Sequence, residues 1–215
     1  MHPKTFHYQA CSSFRVRDED ILCISQWKNL KYLQLSGLHG ILKGHSLIAI
    51  AKGCINLQQL YIAYLGLNGN CSYMLSLCSA LPHFKNLLDF RLEQPHMKLD
   101  QTFFSACTSC KHLERLCILS KNGSFDSDGV TSFVEDVSSL IVLQLFTGST
   151  LSSCRSLQKS LSSKYKHTRP ALFVTIHPLF HNEMPQMSSN IPAKHLEDIT
   201  ILGSEVCRKP PGWQW

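Results

Sequence analysis

Apolar positions along the chain repeat one pattern: an apolar residue, two variable ones, a second apolar residue, one variable residue and a third apolar residue. It occurs as Leu30, Leu33, Leu35, then as Leu57, Leu60, Ile62, and again as Leu87, Phe90, Leu92. Two further copies follow at Leu113, Leu116, Ile118 and at Leu140, Leu143, Leu145, so that successive first members lie 27, 30, 26 and 27 residues apart. Weaker copies stand at Ala171, Val174, Ile176 and at Leu196, Ile199, Ile201, and Phe14 with Val16 reads as the remnant of an earlier one. The last two apolar residues of each copy alternate with one outward residue, as a short strand with a single buried face requires. Such a strand finds no partner for its backbone or its apolar face within its own unit. The units must therefore stack in parallel.

Between the strands lie segments with helical spacing. Val130, Phe133, Val134 and Val137 form an i, i+3, i+4, i+7 stripe behind Asp126 and Asp128, either of which can cap the first turn. Ser46 to Lys52 is a second helix, with Gly53 placed as a C-terminal glycine cap. Ser72, followed by Tyr73, Met74, Leu75, Leu77 and Cys78, opens a third, and Asp100 before Phe103, Phe104 and Cys107 opens a fourth. Each unit is strand, turn, helix. Period and composition are those of leucine-rich repeats. The fold class is α/β: a leucine-rich-repeat solenoid with parallel strands on its concave face and helices on its convex face.

Residues 1–13 read as an N-terminal extension, 14–202 as the repeat domain and 203–215 as a C-terminal tail. The domain holds about six to seven units, the last of them irregular. Leu157 and Leu161 mark one more helix, whereas Pro178, Pro185 and Pro192 make the connection after it mostly loop.

The stretch from Gly44 to Leu60, with its Gly53-Cys54 pair, resembles the cysteine-containing leucine-rich repeat of F-box/LRR proteins, in which a Gly-Cys pair ends the helix. The cysteine of that repeat precedes the first strand leucine by three residues, as Cys54 precedes Leu57 and Cys110 precedes Leu113. The second consensus Cys or Asn is replaced here by Leu38, Leu65, Pro95, Lys121 and Gly148. The resemblance implies the substrate-binding part of an SCF-type ubiquitin-ligase receptor, acting in ubiquitin-dependent degradation while other subunits supply the chemistry. In such receptors an F-box grips Skp1. No F-box pattern occurs in this chain, so the Skp1–cullin complex is expected as a partner only of a longer form. The alternative is a leucine-rich-repeat scaffold or inhibitor that works without Skp1. The tail, with Trp213 and Trp215 behind Pro210, Pro211 and Gly212, is mobile, caps the last rung, or folds into the concavity as tails do in some relatives.

A parallel sheet shows every second side chain on one face, which lets the concave surface be read directly. It carries Tyr32, Gln34 and Ser36, then Gln59, Tyr61 and Ala63, then Asp89, Arg91 and Glu93. Arg115, Cys117 and Leu119 follow, then Val142, Gln144 and Phe146, with Phe173, Thr175 and His177 extending the row. Aromatic residues and arginine displayed outward anchor interfaces. Tyr61, Arg91, Arg115, Phe146 and Phe173 are therefore the expected anchors for a protein target. Against that, Asp89, Arg91 and Glu93 can neutralise one another and the aromatics can pack on adjacent rungs.

Net charge adds a second candidate. The chain carries +6, and between Val137 and Asn182 there is no acid, while Arg155, Lys159, Lys164, Lys166 and Arg169 supply five positive charges. This strip is either an anion-binding surface, in the extreme for nucleic acid, or a solvated helix face. Tyr165 is the one tyrosine, phenylalanine or tryptophan interleaved among them, short of the successive stacking rings of single-strand binders, which argues against nucleic acid.

Ten cysteines in 215 residues fall short of a disulfide scaffold. Cys107-Thr108-Ser109-Cys110 is a C-x-x-C pair, yet no second C-x-x-C completes a zinc set, and Cys110 is already placed as the repeat cysteine. No metal or cofactor is expected. Phosphate-loop, dinucleotide, nucleophile-elbow and zinc-protease motifs do not occur, so no enzymatic activity is expected. The N-terminal residues hold no apolar signal core and no run is long enough for a membrane helix, which points to the cytoplasm or nucleus and reduced thiols.

Overall fold

A computed structural model describes residues 4–9, 16–38, 40–41, 43–66 and 71–179. Seven strands form one parallel sheet in the order β1 (Thr5–Gln9), β2 (Tyr32–Ser36), β3 (Gln59–Ala63), β4 (Asp89–Glu93), β6 (Arg115–Ser120), β8 (Val142–Thr147) and β9 (Phe173–Pro178). A second, two-stranded parallel sheet pairs β5 (Lys98–Leu99) with β7 (Ser124–Phe125). Each crossover carries a helical segment. These are a 3₁₀ helix at Asp18–Gln26, α1 (His45–Gly53), α2 (Met74–Ala80) running into a 3₁₀ turn at Leu81–His83, α3 (Gln101–Thr108), α4 (Ser127–Asp136) and α5 (Leu151–Tyr165). This is the leucine-rich-repeat solenoid that the apolar period predicts.

The repeat leucines earn their spacing in the core. Leu30, Leu57, Leu87, Leu113 and Leu140 are all buried, as are the two strand positions of every full copy. Burying each such side chain contributes about 1.5–3 kcal/mol, and one unit alone has nothing to bury it against. Register is set where the strands begin. The carbonyls of Lys4, Lys31, Gln58, Leu88 and Glu114 each accept two N–H groups from the next rung. Every rung therefore templates the one after it.

Three expectations change. The sheet starts at β1, inside the stretch set aside as an extension: Thr5 pairs with Tyr32, and Phe6 and Tyr8 stand opposite Leu33 and Leu35. Val16 is buried but lies in no strand, Phe14 lies outside the described residues, and the strand that precedes the Leu30 copy is at 5–9. Gly53 is the last helical residue and has no positive φ. A Cβ there would lie 1.8 Å from the Ser25 carbonyl oxygen, so glycine is required by a close approach between units. Between the two possible caps of α4, Asp126 is the one used, accepting from the N–H groups of Asp128 and Gly129. The copy at Leu196, Ile199 and Ile201, Pro185, Pro192 and the tail with Trp213 and Trp215 lie outside the described residues.

Candidate protein-interaction surface

Strand register arranges the outward residues in three rows. Tyr32, Gln59, Asp89, Arg115, Val142 and Phe173 are aligned at the strand starts. Gln34, Tyr61, Arg91, Cys117, Gln144 and Thr175 form the middle row, and Ser36, Ala63, Glu93, Leu119, Phe146 and His177 the last. The strand residues between these rows, among them Leu33, Leu60, Phe90, Leu116 and Leu143, belong to the hydrophobic core.

Exposure differs sharply between rows. Gln59 is exposed and Tyr32, Arg91, Arg115 and Phe173 are half-buried. Gln34, Tyr61, Asp89, Glu93 and Phe146 are buried. The accessible part of the surface is thus the lip where the strands begin. A shallow pocket of about 150 Å³ opens there, lined by Gln59, Leu88, Asp89, Glu114, Arg115, Ile141 and Val142.

Asp89 organises the charged centre. Its carboxylate accepts from Arg91 Nε at 3.1 Å and Nη2 at 2.8 Å, and from Arg115 Nη1 at 3.1 Å. Glu93 takes a different partner, the Tyr61 hydroxyl, which donates to its Oε2 at 3.0 Å. Burial pushes the Tyr32 phenol up to about 12, with the Arg91 charge opposing and Asp89 adding to the shift. Tyr32 is therefore neutral at physiological pH, and its hydroxyl donates to Gln34 Oε1 at 3.1 Å.

The basic strip divides. Arg155 and Lys159 are exposed on α5, and Lys166 is exposed at its end. Lys164, by contrast, pairs with Glu135 and lies 5.7 Å from the Tyr165 ring centroid. Arg169 turns inward and donates to the carbonyls of Val134, Val137 and Leu140 at 2.6, 3.0 and 2.6 Å, with its guanidinium over Tyr165. Burial lowers its pKa from the ordinary arginine range. Two of the five charges thus tie units together, and the anion-binding reading keeps three.

The repeat cysteines also have structural partners. Cys54 Sγ donates to the Ile24 carbonyl at 3.2 Å and Cys110 Sγ to that of Leu81 at 3.3 Å. Burial pushes the two thiols up to about 11 and about 12. Cys107, the other half of the C-x-x-C pair, is buried on α3.

Sequence reasoning missed a ladder at the turn before the strands. Asn56 Nδ2 donates to the Lys28 carbonyl at 2.9 Å and Asn86 Nδ2 to that of Ile55 at 2.8 Å, while Ser139 Oγ reaches the carbonyls of Lys111 and Leu113. Its signal was present in the chain: Asn29, Asn56 and Asn86 each precede a first leucine.

A repeating strand-and-helix unit with a buried leucine framework and a laterally displayed polar row defines a leucine-rich-repeat recognition fold. Residues 5–172 match the family described as F-box/LRR-repeat protein 18, LRR. The chain is 38% identical to human F-box/LRR-repeat protein 18 over 200 residues, which is 93% of this chain and 28% of the human protein. It belongs to the F-box/LRR-repeat protein 18 family, and its sequence corresponds to the leucine-rich-repeat region. Among the described residues, no helix is long and apolar enough to cross a membrane.

Proposed function

We propose that the chain is a non-catalytic recognition module that holds a protein target against the lip of its concave sheet. In this reading it is the substrate-binding part of an SCF-type ubiquitin-ligase receptor in the cytoplasm or nucleus, and its mechanism is positioning. The observation that carries it is the aligned row of Tyr32, Gln59, Asp89, Arg115, Val142 and Phe173, in which the middle four line a shallow pocket and an aromatic residue stands in register at each end. Such groups supply much of the energy of protein interfaces, because they bury large area and form directed hydrogen bonds with little loss of freedom. Family membership supports the ligase context, and Skp1 would join only if a longer form carries an F-box.

Affinity purification of the tagged chain and of an F-box-containing form, followed by mass spectrometry, tests this. A protein recovered by both, with Skp1 and cullin joining only in the longer form, is the expected result. Its loss on Arg115→Ala, which leaves Asp89 its pair with Arg91, places the contact on the sheet. A target recovered without Skp1 or cullin by either form favours the scaffold or inhibitor reading. Partners released by RNase favour a nucleic-acid surface at Arg155, Lys159 and Lys166.

A further inference from the structure

The turn that leads into each strand carries a charge pattern that the concave surface does not use. Two residues before the first leucine of each full copy stand Lys28, Ile55, Lys85, Lys111 and Ser138. The three lysines of this set are exposed. Lys4 and Lys31, also exposed, join them at the β1 and β2 rungs, where the Lys31 N–H donates to the Lys4 carbonyl at 2.8 Å. Among the described residues none of these five lysines forms an ion pair. The acids of the same edge are Glu114 and Asp136, both at its far end on the β6 and β8 rungs, and Asp89 is held by Arg91 and Arg115.

The lysines are displayed from fixed backbone. The carbonyl of Lys28 accepts from Asn56, and that of Lys111 from Ser139, each on the next rung. Because the ladder holds these turns, little backbone freedom is lost when a ligand engages them. Rungs lie about 4.8 Å apart, so Lys28 to Lys111 spans three steps, or about 15 Å. That is the reach of about five residues of extended polypeptide. The positions between the lysines hold Asn29, Ile55, Asn86 and His112, with no arginine fork for phosphate and one ring, the His112 imidazole, where a base-stacking platform presents several in succession. Point charges at strand spacing suit carboxylates on a flexible chain.

We infer that this edge is a docking strip for an acidic polypeptide segment, with Lys28, Lys85 and Lys111 as its central contacts and Lys4 and Lys31 extending it. The strip lies on the turns that precede the lip of the sheet, adjoining it at Lys31, and goes beyond the reading given above. It is tested on the intact chain with a fluorescein-labelled octaglutamate peptide, followed by fluorescence anisotropy, with an oligouridylate of equal charge as competitor. The variant K28Q/K85Q/K111Q should lose about tenfold in affinity, as expected for three exposed charge pairs. R155Q/K159Q/K166Q on α5 and R91A/R115A on the sheet should each bind as the parent does, and the melting transition of the lysine variant should be unchanged. Failure of the parent to bind the peptide, parental affinity in the lysine variant, or an equal loss in the α5 variant overturns the inference. Tighter binding of the oligouridylate than of the peptide overturns it in favour of nucleic acid.

Discussion

Arg169 reaches back across a whole unit to the carbonyl oxygen of Val134, 2.6 Å away. Val134 stands three residues before Val137, the residue that ends α4. Ile24 and Leu81 stand in the same relation to Trp27 and Phe84, and their carbonyls accept the thiols of Cys54 and Cys110. One carbonyl position at the end of these helical segments thus takes a thiol in two units, beside the cap N–H of Trp27 or Phe84, and a guanidinium in a third. The guanidinium also takes Val137 and Leu140, so it closes the helix end more completely than a thiol can.

Arg169→Ala should therefore destabilise the protein by about 2 kcal/mol, since charged donors to carbonyls contribute about 1.5–3 kcal/mol each and this side chain is only partly shielded from water. Arg169→Lys should recover less than half of that, because an ammonium cannot span three carbonyls in a fixed plane. Urea denaturation followed by circular dichroism gives both numbers. A lysine variant as stable as the parent would show that charge alone suffices.

Gly53→Ala should cost at least about 3 kcal/mol, at the upper end of overpacking, because the added Cβ would meet the Ser25 carbonyl oxygen at 1.8 Å and that atom is backbone. At an ordinary helix position the same change would stabilise by up to about 1 kcal/mol. Thermal melts of the variant decide between the two signs.

The framework was legible in the chain because leucine spacing is a direct consequence of how strands stack: every full copy of the pattern became a rung, and the outward residues fell in register. What stayed hidden depends on partners one unit away. β1 escaped because Tyr8 occupies the place where every full copy has an aliphatic residue, and Pro3 stands three residues before Phe6 where a full copy has its first leucine. The bend of Arg169 into Val134, Val137 and Leu140 could not be read from composition, which counts it as surface charge. Gly53 was legible as important but not for the right reason, since glycine serves both left-handed backbone and close approach. Row-by-row burial of the concave residues was also beyond the alternation rule, which assigns a face but not its depth.

The raised thiols predict an alkaline limit to stability. Burial lifts Cys110 from 9.0 to about 12 and Cys54 from 9.0 to about 11, so the unfolded chain loses these protons first as pH rises. Their contribution is whole below pH 9 and falls away between pH 9 and the folded values, by up to about 1.4 kcal/mol per pH unit for a fully shielded thiol. The midpoint of urea unfolding should fall across pH 9 to 11. Cys110→Ala should be less stable at pH 7 and should show a shallower decline. An identical slope in parent and variant would remove Cys110 as a source of the effect.

Asp18 binds the first two helical units into one. From the 3₁₀ helix at Asp18–Gln26 its carboxylate accepts from the N–H of Gly44 at 3.1 Å, the N–H of Ser46 at 3.4 Å and the Ser46 hydroxyl at 2.8 Å. Gly44, at φ +70, precedes α1 as its N-cap residue and has no side chain to cap it. The cap comes instead from the preceding unit, with negative charge at the positive end of the helix. Asp18→Ala should cost about 1–2 kcal/mol, the range of a lost N-cap, whereas Asp18→Asn keeps the acceptor and should lose about half of that. Hydrogen exchange should localise the change to the first turns of α1 while the β6 and β8 amides keep parental protection. Uniform loss of protection across the sheet would mean that the effect is global rather than a cap on one helix.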